Sequence, residues 1–140
     1  MKYDVFVSHA TKDKLGYVDK LVESIKKEGL EVFYYQESVI WGDSISKTIA
    51  TALQNSTLAV VVISKHFFNR RWTEYELRTL LARQEQEGEK LIMPILYGIT
   101  KKQLTDKYPE LSDISFKYSK SCKREEMARI LKQEVDKKKR

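Results

Sequence analysis

Cys122 is the only cysteine, which excludes an internal disulfide framework and any CxxC metal knuckle. Histidine is nearly as scarce. His9 and His66 are too few for a transition-metal site without cysteine partners, and both read as loop residues that hydrogen-bond locally. Only five glycines occur, and none has the GxGxxG or GxxxxGK spacing of a phosphate cradle. No apolar run approaches the roughly 18 residues that span a bilayer, and the first residues lack the long apolar stretch of a signal peptide. A cytoplasmic setting is therefore expected. Repeats and low-complexity linkers are missing too, so residues 1–140 are read as one domain, long enough for a real core.

The net charge of +6 invites a nucleic-acid reading, and its distribution argues against one. Residues 120–140 hold nine Lys/Arg against four Asp/Glu, which leaves 17 against 16 in the first 119 residues. A solvated last helix with cations at its negative dipole end accounts for Lys137-Lys138-Lys139-Arg140. The body has no basic stripe with interleaved aromatics, so no nucleic-acid partner is expected.

What is present is alternation: apolar runs of strand length between segments of helical period, the pattern of a parallel sheet with helices on both faces. Tyr3–Val7 reads as the first strand. Thr11 or Asp13 can cap a helix whose inward stripe is Val18, Leu21, Val22 and Ile25, ended by Gly29. Leu30–Tyr34 reads as a short second strand, followed by a loop from Tyr35 to Gly42. Asp43 or Ser44 then starts a helix with Ile45, Ile49, Ala52 and Leu53 inward. Leu58–Ile63, apolar on both faces, is the central strand. A helix from about Trp72 to Gly88 precedes a strand at Lys90–Leu96, where Pro94 is awkward for an interior position. Thr100 and Gln103 form a capping box, Ser115–Tyr118 reads as a small edge strand, and the last helix carries Met127, Ile130, Leu131 and Val135. The expected architecture is a flavodoxin-like three-layer α/β sandwich with a five-stranded parallel sheet of order 2-1-3-4-5.

In such a sheet the ligand crevice opens at the carboxyl ends of strands 1 and 3. Ser8-His9 and Ser64 line it here. A phosphorelay receiver of the same architecture needs aspartates at those positions, and Ser8-His9 and Ser64-Lys65 stand there instead. Cys122 has no candidate base beside it and reads as a small near-surface residue. Glu76 lies one turn beyond Trp72 at the start of a helix whose stripe, Leu77, Leu80 and Leu81, is otherwise apolar; a carboxylate there needs a partner or a role. Glu74, about 200° around the helix, faces solvent within reach of Arg70 or Arg78. An acid near a helix amino terminus is itself worth about 0.3–1 kcal/mol. On spacing alone a functional and a structural role for Glu76 stand level.

The blocks Tyr3-Asp4-Val5-Phe6-Val7-Ser8-His9, Trp41-Gly42-Asp43-Ser44, Ile49–Ser56, Val60–Ser64 and the W-x-x-x-E-L of Trp72–Leu77 occur in order with fitting spacing. With them the chain resembles a bacterial TIR domain over nearly its whole length. The resemblance implies cleavage of NAD+ at the nicotinamide–ribose bond with Glu76 as the catalytic residue. NAD+ is then substrate, with no cofactor and no metal. Trp72, Tyr75, Phe33, Tyr34 and Trp41 would hold the planar leaving group; core packing is the competing role for Phe33 and Tyr34. Ser8, His9, Ser64, Asp43 and Ser44 would contact ribose or phosphate, with Asp43 equally a helix cap. The resemblance also implies self-association through TIR–TIR contacts that include loop 35–43, and service in antiviral defence. An adaptor or host-directed effector acting by TIR–TIR binding is the alternative. A sensor domain following the last helix is expected in a longer protein.

Overall fold

Five parallel strands in the order β2-β1-β3-β4-β5 build the sheet: β1 (Tyr3–Ser8), β2 (Val32–Tyr34), β3 (Ser56–Ile63), β4 (Ile92–Leu96) and β5 (Lys117–Tyr118). This is the flavodoxin-like order expected from the alternation. The computed structural model describes residues 3–10, 14–34, 51–67, 71–88, 91–111 and 115–139, and of residues 14, 15, 71–77 and 110 the backbone alone. The expected caps Thr11 and Asp13 and the helix start at Asp43 or Ser44 lie outside these residues.

β3 is central and buried on both faces because its side chains alternate between two cores. Leu58, Val60 and Val62 meet Val5 and Val7 of β1, together with Leu21, Val22 and Ile25 of α1 (Asp19–Lys27) and Met127, Leu131 and Val135 of α4 (Arg124–Lys138). Ala59, Val61 and Ile63 meet Phe6, Phe33, Ala52 and Leu53 on the other face, with Leu80 of α2 (Arg71–Glu87) and Leu104 of α3 (Lys101–Lys107). Each fully buried aliphatic side chain contributes about 1.5–3 kcal/mol, so the valine run anchors both layers at once.

The helices begin and end for local reasons. α1 is preceded by a π-helical turn, Lys14–Val18, and its first residue follows Val18 without a side-chain cap. It closes at Gly29, which takes φ +82° while its N–H donates to the Lys26 carbonyl (2.9 Å); a Cβ disfavours that left-handed conformation. α3 carries the expected capping box: Thr100 Oγ1 accepts from the Gln103 N–H (3.2 Å) and Gln103 Oε1 from the Thr100 N–H (2.9 Å).

Several boundaries and environments differ from expectation. β2 starts at Val32, although Leu30 is buried, and β5 is two residues rather than four. Pro94 sits inside β4 in register with Val61 of β3. The Leu91 carbonyl and the Tyr97 N–H bond toward β3, whereas the Leu96 carbonyl bonds toward Ser119 beyond β5. By that alternation Pro94 turns its missing N–H to the β5 side, and β5 pairs only with Ile95 and Leu96. The interior position is thus tolerated because no ladder bond is lost. On the same side Gln84 Oε1 accepts from the Ile92 N–H (3.0 Å) and also from that of Leu91 (3.1 Å).

Cys122 is not near-surface but buried, packed in the α1/α4 core, and burial followed by the nearby Glu126 carboxylate pushes its thiol pKa up. The basic tail is not wholly solvated. Lys138 Nζ donates to the Thr57 carbonyl (3.1 Å), and Lys139 Nζ pairs with Asp4 Oδ1 (2.8 Å). Asp4, 8% exposed, also accepts the Glu31 N–H at Oδ2 (2.8 Å). Burial pushes that carboxyl up, but the Lys139 ammonium, the Glu31 N–H and the more distant Lys132 outweigh it and hold the pKa below 3.8.

Candidate active site

The carboxyl edge of the sheet collects the polar residues. Ser8 ends β1 opposite Val61 of β3 and is 1% exposed. His9 follows, buried, with Nδ1 and the Ala10 carbonyl 2.9 Å apart. Tyr34 ends β2 in register with Val7, and its ring lies 5.2 Å from the His9 ring. The Tyr34 hydroxyl donates to Asp19 Oδ1 (2.5 Å), in the first turn of α1. Ser64 directly follows β3, buried, and its Oγ accepts the His66 N–H (3.2 Å). His9 and Tyr34 therefore meet, whereas Ser8, two residues after Phe6 and opposite Val61, turns to the Phe6 face of the sheet, and Ser64 ends the strand beside β1.

Phe33 is placed differently. Strand alternation turns it to the face opposite Tyr34, where its ring stacks on Phe6 (5.0 Å, 5°) and meets Tyr3 edge-on (5.3 Å, 77°). It is 1% exposed and a core residue of the α2 face.

α2 leaves the carboxyl end of β3 and returns to the amino end of β4, where Gln84 meets Leu91 and Ile92. Its opening turns, which contain Trp72, Tyr75 and Glu76, thus start at the carboxyl edge and on the Phe6 face. The positions of those three side chains, and of Glu74, lie outside the described residues, as do Trp41, Asp43, Ser44 and loop 35–43. Among the described residues no cluster of His, Cys, Asp and Glu is placed to hold a metal, and no helix is long and apolar enough to cross a membrane.

Two groups near the edge have no signature in the sequence. Asp19 fixes the Tyr34 hydroxyl from 15 residues away, a pairing that only the packing of α1 on β2 creates. Tyr17, in the π turn, stacks on Tyr97 just after β4 (4.9 Å, 19°) and lies beneath the Arg124 guanidinium (5.5 Å to the ring centroid). Its hydroxyl contacts Met127 Sδ (3.4 Å), and burial pushes its pKa up to about 12 despite Arg124, so the hydroxyl stays protonated.

A cavity of about 810 Å³ lies elsewhere, beside β4 and β5 between α2 and α4, with Val60, Leu81, Met93, Phe116 and Ile130 in its walls. Its lining is largely apolar, and it includes none of the carboxyl-edge polar residues. The buried polar residues Ser8, His9 and Ser64 gather at the edge of β1 and β3 instead.

The family model described as TIR domain matches residues 5–138. The chain belongs to the TIR domain family. This TIR domain is 41% identical over 112 residues to the 2' cyclic ADP-D-ribose synthase AbTIR of Acinetobacter baumannii, covering 80% of this chain and 41% of that protein. It is 39% identical over 103 residues to the NAD(+) hydrolase TcpA of a Theionarchaea archaeon, covering 74% of this chain and 31% of that protein. The chain thus spans less than half the length of these curated relatives. The TIR domain of the Toll-related receptor TRR-2 of Hydra magnipapillata superposes with a TM-score of 0.71 at 22% identity, covering 86% of each chain, which shows the shared fold.

Proposed function

We propose that this TIR domain cleaves NAD+ at the nicotinamide–ribose bond, as hydrolase or cyclase, with Glu76 as the catalytic carboxylate. The observation that carries the reading is the identity of about two residues in five to relatives named for hydrolysing NAD+ and for making cyclic ADP-ribose. The fold alone does not decide, since a receptor domain shares it.

The chemistry suits a site with one essential acid. Ordinary glycosidases need an acid to protonate a poor leaving group and a second carboxylate opposite it. Nicotinamide departs as a neutral amine from a cationic ring, so no general acid is required. What remains is to stabilise the oxocarbenium-like ribose by charge and by hydrogen bonds to its hydroxyls. Glu76, on turns of α2 that open at the carboxyl edge, supplies the charge in this reading. Ser8, His9 and Ser64 contact ribose or phosphate from the strand ends. Tyr34, 2% exposed in the α1/α4 core and tethered by Asp19, backs His9 through packing, with Trp72, Tyr75 and Trp41 as the aromatic contacts and Asp43 and Ser44 as polar ones. Phe33 acts through packing beneath them. Hydrolysis and cyclisation differ only in whether water or an adenine nitrogen meets the ribose cation.

In this reading the enzyme is cytoplasmic, needs no cofactor or metal, is activated by TIR–TIR association including loop 35–43, and serves antiviral defence. The test is incubation with NAD+ at low and high protein concentration, with products resolved by chromatography. Turnover should survive EDTA, vanish in Glu76→Ala and persist in Glu74→Ala. Equal turnover in the two variants moves the chemistry away from Glu76. No turnover at any concentration, including with the chains tethered together, favours an adaptor.

A further inference from the structure

We infer that the π-helical turn Lys14–Val18 shapes the α1 side of the crevice, and that Tyr17, Tyr97 and Arg124 are positioning residues that hold it. The kinetic part of the inference rests on the NAD+ reading; the structural part does not. π turns are rare, energetically inferior to α-helical ones, and concentrated at functional sites. This one lies where the chain passes from the carboxyl end of β1 into α1, between the Ser8–His9 pair and the Asp19 that fixes Tyr34. A switch to α-helical winding here would rotate the preceding residues relative to α1 by up to about 100° per residue slipped. The register of the turn therefore governs how the chain leaves the crevice.

The turn is held from outside its own helix. The Tyr17 ring stacks on Tyr97, and the Tyr97 N–H donates to the Ile63 carbonyl (2.9 Å), which ties that stack to the carboxyl end of β3. Arg124, the first residue of α4, lies over the Tyr17 ring, and Met127 one turn later receives the Tyr17 hydroxyl. Gly16 packs close to the same stack: a Cβ built there would lie 3.5 Å from the Tyr97 hydroxyl. The guanidinium of Arg124 thus meets the turn through the face of an aromatic ring. Cation–π contacts favour an arginine or a lysine over a neutral residue of similar length.

Amide exchange and steady-state kinetics on Arg124→Ala, Arg124→Lys and Tyr97→Leu test this. A π turn protects amides through carbonyls five residues back, so Val18 and Asp19 are the reporters and Leu21–Ile25 the internal control. Arg124→Ala and Tyr97→Leu should speed exchange at Val18 and Asp19 about tenfold relative to the control. They should also raise KM for NAD+ at least fivefold, with kcat within twofold. Arg124→Lys should behave as wild type. Unchanged exchange at Val18 and Asp19 overturns the inference, as does an equal rise across the control, which is ordinary destabilisation. Should the wild type turn over no NAD+, the enzymatic reading fails, and the exchange measurements still decide the role of the three residues.

Discussion

Replacing Asp4 separates a buried hydrogen bond from an exposed ion pair. The carboxylate joins three segments: its own strand β1, the turn before β2 through the Glu31 N–H (2.8 Å), and the end of α4 through Lys139 (2.8 Å). The side chain of Asp4 is 12% exposed and that of Lys139 is 59% exposed. Water screens the ion pair, so it adds little. The Glu31 N–H donated to a charged, buried acceptor is worth about 1.5–3 kcal/mol, and Asp4→Ala loses that amount. For a chain of this size the loss is a fall in Tm of roughly 5–12 °C. Asp4→Asn keeps an acceptor and should lose about half as much; Lys139→Ala should scarcely move the melting temperature. The pH dependence has a definite sign. Because the folded carboxyl titrates below 3.8, the unfolded chain binds more protons in the acid range, and stability rises with pH there. Its contribution is present above the unfolded value and lost as pH falls through the folded one. Urea midpoints measured from pH 2 to 5 should therefore rise less steeply in Asp4→Asn than in wild type. If Lys139→Ala proves as costly as Asp4→Ala, the energy resides in the ion pair and the reasoning is wrong.

Three further substitutions probe the scaffold of the sheet, and a fourth the tether of Tyr34. Gly29→Ala meets no neighbouring atom, so its cost is the left-handed backbone alone, about 1 kcal/mol, visible as a fall in Tm of roughly 3–4 °C. Gln84→Leu strips two N–H groups, of Leu91 and Ile92, of their acceptor; a loss of about 2–4 kcal/mol in urea unfolding is expected, with Gln84→Glu much milder. Phe33→Ala should cost about 3–5 kcal/mol through the cavity left against Phe6 and Tyr3. Tyr34→Phe, which removes only the hydroxyl bound to the Asp19 carboxylate, should cost about 1.5–3 kcal/mol and leave the circular dichroism spectrum unchanged.

The sheet order was legible because β3 is valine-rich on both faces and helical stripes such as Leu21, Val22 and Ile25 keep their period. The Thr100–Gln103 box was legible because both partners lie within four residues. What escaped depends on distant partners. The π turn is unreadable from Lys14–Val18 because its holders, Tyr97, Arg124 and Met127, come about 80 or more residues later. Cys122 and Lys139 escaped for the same reason: their surroundings are made by β1, β3 and α1. Pro94 looked misplaced because a residue rule cannot tell which side of a strand lacks a neighbour. The place of Ser8, His9 and Ser64 at the carboxyl ends of β1 and β3 follows from the switch point, and Tyr34 meets His9 there. Alternation along β2 already separates Phe33 from Tyr34, so that division could have been read from the strand period. Glu76 rests on its position in α2 and on the family.

The first half of β4 presents a barren margin on its β5 side. Pro94 has no hydrogen to offer, the Ile92 N–H is occupied by Gln84, and the short β5 covers Ile95 and Leu96. A foreign chain laid along this side would find few backbone donors, so runaway cross-β stacking from β4 is discouraged at high local concentration.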